Sequence, residues 1–168
     1  MARPATAPAD RDQRPYRRCV GLVVFNPQGL VFVGQRSDMS GIAWQMPQGG
    51  IDKRERPREA ALRELAEETG ISGAELFFEA PEWLAYDLPL TLRDRLWRGR
   101  FRGQKQKWFG VRFAGDEREI DLAASHEQEF TAWRWVTLAE TPALAPPFKR
   151  EVYERVAAIF APFAKPWR

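Results

Sequence analysis

Glu64, Glu67 and Glu68 stand at positions i, i+3 and i+4 within an Ala-, Leu- and Glu-rich stretch. On a helix that spacing puts three carboxylates on one face within one turn. Each like-charge pair costs an isolated helix roughly 0.2–0.5 kcal/mol, and the negative end of the helix dipole adds to that cost. Arg63 is adjacent, but the natural counter-charge for convergent carboxylate oxygens is a hard divalent cation, with Mg²⁺ or Mn²⁺ first in order. Taken alone, the same run also reads as a solvated acidic face, so the residues around it must decide.

The run from Gly49 to Ile71 fits the pattern G-x5-E-x7-R-E-U-x-E-E-x-G-U, with U a bulky apolar residue. Gly49, Glu55, Arg63, Glu64, Leu65, Glu67, Glu68, Gly70 and Ile71 fill its fixed positions. Gly49 and Gly50 allow a tight loop whose backbone can approach a polyphosphate. Glu55 can reach Arg63 and hold that loop to the helix. Arg63 orients the carboxylates, Leu65 and Ile71 face a core, and Gly70 sits where a left-handed helix cap falls.

This pattern is the signature of the Nudix hydrolases, which the sequence therefore resembles. The resemblance implies that Glu64, Glu67 and Glu68 bind the metal ions that bridge the substrate phosphates, with Mg²⁺ expected and Mn²⁺ or another divalent cation as alternatives. It implies hydrolysis of a nucleoside diphosphate linked to another group. Glu64 is the first choice for the base that takes the proton of water, with Glu68 or a carboxylate outside the helix as alternatives.

Further stretches are similar to one subgroup, the bacterial RNA pyrophosphohydrolases together with related dinucleoside polyphosphate hydrolases. They are WQMPQGGID at 44–52, GQKQKWF at 103–109, EFTAWRWV at 129–136 and FKREVYERV at 148–156. By this resemblance Glu129 is a further metal ligand, and Arg17, Lys105 and Lys107 face phosphates. Arg36, Tyr86, Phe148 and Lys149 hold or border the bases. The reaction implied is removal of pyrophosphate from 5′-triphosphate RNA, leaving a 5′-monophosphate and initiating mRNA decay. A dinucleoside tetra- or pentaphosphate is the alternative substrate, and a catalytically silent RNA-binding module is a third reading. The loop between Arg36 and Trp44 is longer than in the enterobacterial type, and Pro146 and Pro147 stiffen the approach to Phe148.

Outside these motifs, residues 92–108 carry Arg93, Arg95, Arg98, Arg100, Arg102, Lys105 and Lys107 against a single Asp94. Leu96, Trp97, Phe101 and Trp108 are interleaved. Cations spaced by aromatic rings suit the phosphates and bases of single-stranded RNA, although a solvated strand edge has the same composition. His126, in a polar loop, is not expected to be catalytic.

The elements that must position these groups follow from patterning. Residues 19–25 and 30–33 read as two buried strands joined by a tight turn at Asn26, Pro27, Gln28 and Gly29. Residues 37–41 read as a polar loop, 44–46 as an extended piece, and 47–56 as a loop that ends where Pro57 opens a helix over Pro57–Thr69. Strands are expected at 76–79, 83–86, 107–113 and 132–136. Val152, Val156, Ile159, Phe160 and Phe163 recur at helical spacing and predict a last helix over 149–163. These pieces predict an α/β fold with helices covering a mixed sheet, and the resemblance narrows it to the Nudix fold, an α/β/α sandwich around a mixed β-sheet.

The 168 residues fit one domain, since domains most often run to about 100–150 residues. Residues 1–15, with Pro4, Pro8 and Pro15 and no apolar face, are expected to be a disordered arm, and 16–168 a single Nudix hydrolase domain. The lone Cys19 excludes an internal disulfide, and the lone His126 excludes His-pair zinc motifs. No apolar run is long enough to span a membrane and no leader-like segment opens the chain, so a cytoplasmic protein is expected. A net charge of +3 names no partner by itself. No membrane or DNA partner is expected, and the oligomeric state is left open.

Overall fold

A computed structural model describes residues 13–36 and 43–167. The polar loop expected at 37–41 and most of the expected N-terminal arm lie outside the described residues. Of that arm, Arg14 pairs with Asp94 at 2.8 Å, and the Pro15 carbonyl accepts a hydrogen bond from the Arg102 amide at 3.1 Å.

The centre of the fold is a strand buried on both faces. β1 (Tyr16–Phe25) alternates Val20, Leu22 and Val24 toward one side and Val23 and Phe25 toward the other, all at most 1% exposed. A strand that is apolar on both sides needs a layer on each, and helices supply both. α1 (Pro57–Thr69) lays Ala60, Ala61 and Leu65 on the first side, against Leu22, Phe32, Phe109 and Val111. α4 (Arg150–Phe160) lays Val152, Tyr153, Val156 and Phe160 on the second, against Val23, Val33 and Trp108.

β2 (Val31–Arg36) turns back antiparallel from β1, with Asn26 Oδ1 accepting from the Gln28 and Leu30 amides at 3.0 Å in the turn between them. β3 (Trp44–Gln45) pairs with β2, and β4 (Gln48–Gly50) runs antiparallel to β1 with Val20 opposite Gly49. β5 (Glu75–Asp87) is antiparallel to β6 (Gly103–Arg112), which is parallel to β1 from Tyr16 opposite Gly103 to Phe25 opposite Arg112. β7 (Phe130–Val136) closes on β2. The mixed sheet runs β3-β2-β1-β6-β5, with β4 joined to β1 and β7 to β2. It is the α/β sandwich that the patterning predicts.

Several boundaries differ. The two strands expected at 76–79 and 83–86 are one strand, β5, whose register slips between Leu76 and Phe78 and again between Glu79 and Trp83. Pro81 cannot donate to the ladder, so the strand bulges there and continues. The last helix ends at Phe160, because Pro162 admits only a 3₁₀ turn over Ala161–Phe163. The segment read as a cationic edge is folded: α2 (Leu90–Arg93) leads into a turn at Leu96–Gly99 with left-handed backbone at Trp97 and Arg98, and β6 begins at Gly103 rather than 107. A second short helix, α3 (Thr141–Leu144), precedes α4. Among the described residues no helix is long and apolar enough to cross a membrane.

Candidate active site

The helix α1 opens with Pro57 at its first turn and ends at Gly70, whose φ of 74° is the left-handed cap that a glycine takes without strain. Arg63, in the middle of this helix, gathers the preceding loop onto it. Its guanidinium meets Glu55 with two parallel hydrogen bonds of 2.8 Å, donates to the Gly50 carbonyl at 2.8 Å, and reaches Glu64 at 2.9 Å and Glu67 at 3.2 Å. The Arg63 hydrogen bonds hold the Glu55 carboxyl down to about 2. Glu55 also accepts from the Asp52 amide at 2.9 Å, so the loop is closed at both ends. Gly49 passes so near the helix that a Cβ there would coincide with the Glu64 carboxyl.

The acidic groups are held in a place that disfavours their charge. Glu64 is 8% and Glu68 5% exposed. Burial pushes the Glu64 carboxyl up to about 7, with Glu67 and Glu129 adding repulsion against the pull of Arg63. Glu68 is raised well above the usual carboxylate range, first by burial and then by Glu129, which comes from the segment before β7. One oxygen of Glu68 accepts from the Gln48 amide at 3.3 Å, and the other is buried without a hydrogen-bond partner. An orphaned carboxylate oxygen in a set of hard oxygen donors fits a divalent cation.

Glu64, Glu67, Glu68 and Glu129 line a cleft of about 580 Å³. Arg17, Arg36, Tyr86, Phe148 and Lys149 line the same cleft, so it brings together all but two of the side chains expected to bind substrate. The Tyr86 and Phe148 rings are 5.7 Å apart. The Lys149 ammonium lies 5.7 Å and 5.9 Å from those two ring centres and donates to Gln45 Oε1 at 2.5 Å. Burial, followed by the Arg36 charge, lowers Lys149 to about 7.

Lys105 and Lys107 are not in the cleft. On β6 the alternation sends Gln104 and Gln106 to the cleft side with Trp108, and the two lysines to the other face. There they flank the Trp83 ring at 5.7 Å and 6.0 Å, and Lys107 donates to the Pro81 carbonyl at 3.1 Å. The stripe is divided in the same way. Trp108 is fully buried, Arg93 is buried and bonded to the Leu88 carbonyl, and Arg102 is paired with Asp87, while Arg95, Arg98 and Arg100 stay exposed.

Two features of the site escape motif reading. One is a polar floor in which Gln106 donates to Gln48 at 3.0 Å and to Gln104 at 2.8 Å, and accepts from the Trp108 indole at 3.2 Å. The alternation in GQKQKWF is the signal that could have found it. The other is Trp97, which lines the cleft from a turn where Gly99 is the only glycine but Trp97 and Arg98 also take positive φ.

A model of the NUDIX domain matches residues 15–156. An RNA pyrophosphohydrolase of Cereibacter sphaeroides (strain KD131 / KCTC 12085) is 54% identical over 150 residues, covering 88% of this chain and 92% of its own. One from Rhodopseudomonas palustris (strain BisB18) is 49% identical over 164 residues, covering 92% of this chain and 93% of its own. Among solved structures, the E. coli dihydroneopterin triphosphate pyrophosphohydrolase has a TM-score of 0.66 at 22% identity, covering 86% of this chain and 99% of that one. A C. elegans Ap4A hydrolase binary complex has a TM-score of 0.62 at 20% identity, covering 87% and 98%. At those identities the likeness to the two structures is one of fold.

Proposed function

This chain belongs to the Nudix hydrolase family, and from that premise we propose that it is an RNA pyrophosphohydrolase, converting 5′-triphosphate RNA to 5′-monophosphate RNA and pyrophosphate. The observation that carries this reading is one cleft lined both by four carboxylates and by the Arg17, Arg36, Tyr86, Phe148 and Lys149 side chains. A polyphosphate needs the counter-charge of a cation that carboxylates can hold, and a nucleotide needs cationic side chains and ring faces. Relatives at about half identity over most of their length carry the same activity in their names.

In this reading Glu64, Glu67, Glu68 and Glu129 hold the metal, and the carboxylate set fits Mg²⁺, with Mn²⁺ or another divalent cation able to replace it. When bound, the ion supplies neutralisation of phosphate charge and Lewis-acid activation of water. Glu64 takes the proton of the attacking water: its Oε1 is held by Arg63, which leaves the other oxygen to accept. Glu68 is the alternative base. The water oxygen bonds to phosphorus, the bridging P–O bond between the α- and β-phosphates breaks, and the leaving pyrophosphate carries the displaced electron pair. Arg63 and Glu55 keep the Gly49–Gly50 backbone beside the phosphates, and Gly70 ends the helix so that Glu68 stays at the cleft. Arg17 neutralises phosphate oxygens, and Arg36, Phe148 and Lys149 border the base, with Tyr86 packed behind Phe148.

The substrate places the work of the protein in the cytoplasm, at the first step of transcript decay, and the domain performing it spans residues 16–168. A second reading keeps the site and replaces the RNA with a dinucleoside polyphosphate, because a cleft that takes one nucleotide and its phosphates accepts them whether or not RNA follows. The test is to incubate the protein with Mg²⁺ and RNA carrying a 5′-triphosphate, then assay pyrophosphate and the sensitivity of the product to a 5′-monophosphate-dependent exonuclease. Release of pyrophosphate with gain of sensitivity is expected. Stepwise loss of single phosphates, or no reaction, overturns the assignment.

A further inference from the structure

Trp97 and Arg98 have φ values of 49° and 58°, and Gly99 follows at 69°. Three successive residues in the left-handed region, two of them with side chains, form a turn that L-residues do not adopt on their own. It persists because its surroundings hold it. Arg14 donates to the Gly99 carbonyl at 3.0 Å and pairs with Asp94 at 2.8 Å, and the Trp97 ring meets Phe101 edge-on at 6.1 Å. The effect of the turn is to carry the Trp97 indole to the wall of the cleft, beside Leu88, Leu92 and Leu96. Backbone strain that brings one large ring to a site points to a use for that ring.

The Arg17 guanidinium lies 5.0 Å from the centre of the Trp97 ring. The same guanidinium stands where a Cβ on Gly50 would be, so it borders the phosphate end of the cleft. One arginine therefore touches both the loop that approaches phosphate and the face of the indole. A phosphate drawn to Arg17 puts the attached nucleoside within reach of Trp97. The Tyr86–Phe148 pair offers no slot between its rings, which are 5.7 Å apart and tilted by 47°. An indole face suits any base, since stacking depends on ring area rather than on hydrogen-bond pattern.

We propose that Trp97 is a stacking platform for a nucleobase of the substrate, presented by the strained Trp97–Gly99 turn beside the Arg17 that meets phosphate. This deepens the reading of the cleft as a nucleotide polyphosphate site and rests on it. Trp97 touches substrate and takes no part in proton transfer, so its removal acts on binding rather than on the chemical step.

The experiment compares full-length wild type, Trp97→Ala and Trp97→Phe with a 5′-triphosphorylated oligoribonucleotide and Mg²⁺. Inorganic tripolyphosphate, which has no base, serves as a competitive inhibitor. Trp97→Ala is expected to raise KM about tenfold or more with kcat within about twofold, and to leave the inhibition constant of tripolyphosphate unchanged. Trp97→Phe is expected to restore most of the loss. An unchanged KM in a folded Trp97→Ala protein overturns the platform, as does an equal weakening of RNA and tripolyphosphate, which would show a general collapse of the cleft. Failure of the wild type to hydrolyse the RNA while it binds tripolyphosphate would overturn the substrate reading instead. If Trp97→Ala does not fold, the Trp97→Phe and Trp97→Leu pair decides: Leu must raise KM and Phe must not.

Discussion

Arg63 and Glu55 form a two-pronged ion pair, Nε to Oε2 and Nη2 to Oε1, each at 2.8 Å, while the same guanidinium holds the Gly50 carbonyl. A planar fork is required for this, and the ammonium of lysine cannot reproduce it. Arg63→Lys should therefore release the loop from the helix and lower kcat by about 100-fold or more, the scale expected when a reacting group is displaced by about 1 Å. Steady-state kinetics on a folded variant checks this, and near-wild-type turnover would remove Arg63 from the positioning role.

The same pair sets a pH dependence. Glu55 is held at about 2, below its ordinary value near 4.5, so its folded form binds protons less readily than its unfolded form. Its contribution to stability is complete above about pH 4.5 and is lost as pH falls toward 2. Urea midpoints measured from pH 6 to pH 2 should fall less steeply for Glu55→Gln than for wild type, and parallel curves would contradict the pairing.

Gly49→Ala places a methyl group where the Glu64 carboxyl lies. Either the loop or Glu64 must move. A loss of turnover of about 100-fold or more is expected with far-ultraviolet circular dichroism unchanged. Retention of full activity would show that the close approach is not needed.

The orphaned Glu68 oxygen and the crowded carboxylates make the metal-free site a place of repulsion. Mg²⁺ at 100 times its Kd should stabilise by about 2.7 kcal/mol, which raises the Tm of a chain this size by about 5–10 °C. Glu64→Gln and Glu68→Gln should lose most of that rise, have a metal-free Tm equal to or above wild type, and turn over about 1,000-fold more slowly. A full Mg²⁺-induced rise in both variants would place the metal elsewhere.

The helix at Pro57–Thr69 was legible to the residue, because Pro57, the Ala- and Leu-rich interior and Gly70 are local signals that the structure uses as they stand. The continuity of β5 was not. Pro81 reads as a break, and only pairing with β6 on both sides of the bulge carries the strand past it. Lys105 and Lys107 were expected at phosphates from the family resemblance, but side-chain direction on a strand is set by alternation. Buried Trp108 assigns the even positions to the cleft side and the lysines to the other. Trp97 could not have been placed from sequence: Gly99 marks a turn, but the left-handed backbone at Trp97 and Arg98 is held by Arg14, which bonds the Gly99 carbonyl and pairs with Asp94.

The most direct measurement is a competition between equal concentrations of 5′-triphosphorylated RNA and diadenosine tetraphosphate in Mg²⁺, with Glu64→Gln as the control. Faster conversion of the RNA, with pyrophosphate as product and no conversion by Glu64→Gln, is the expected result. Faster consumption of the dinucleotide, or equal rates with Glu64→Gln, would contradict the assignment of this cleft to transcript 5′ ends.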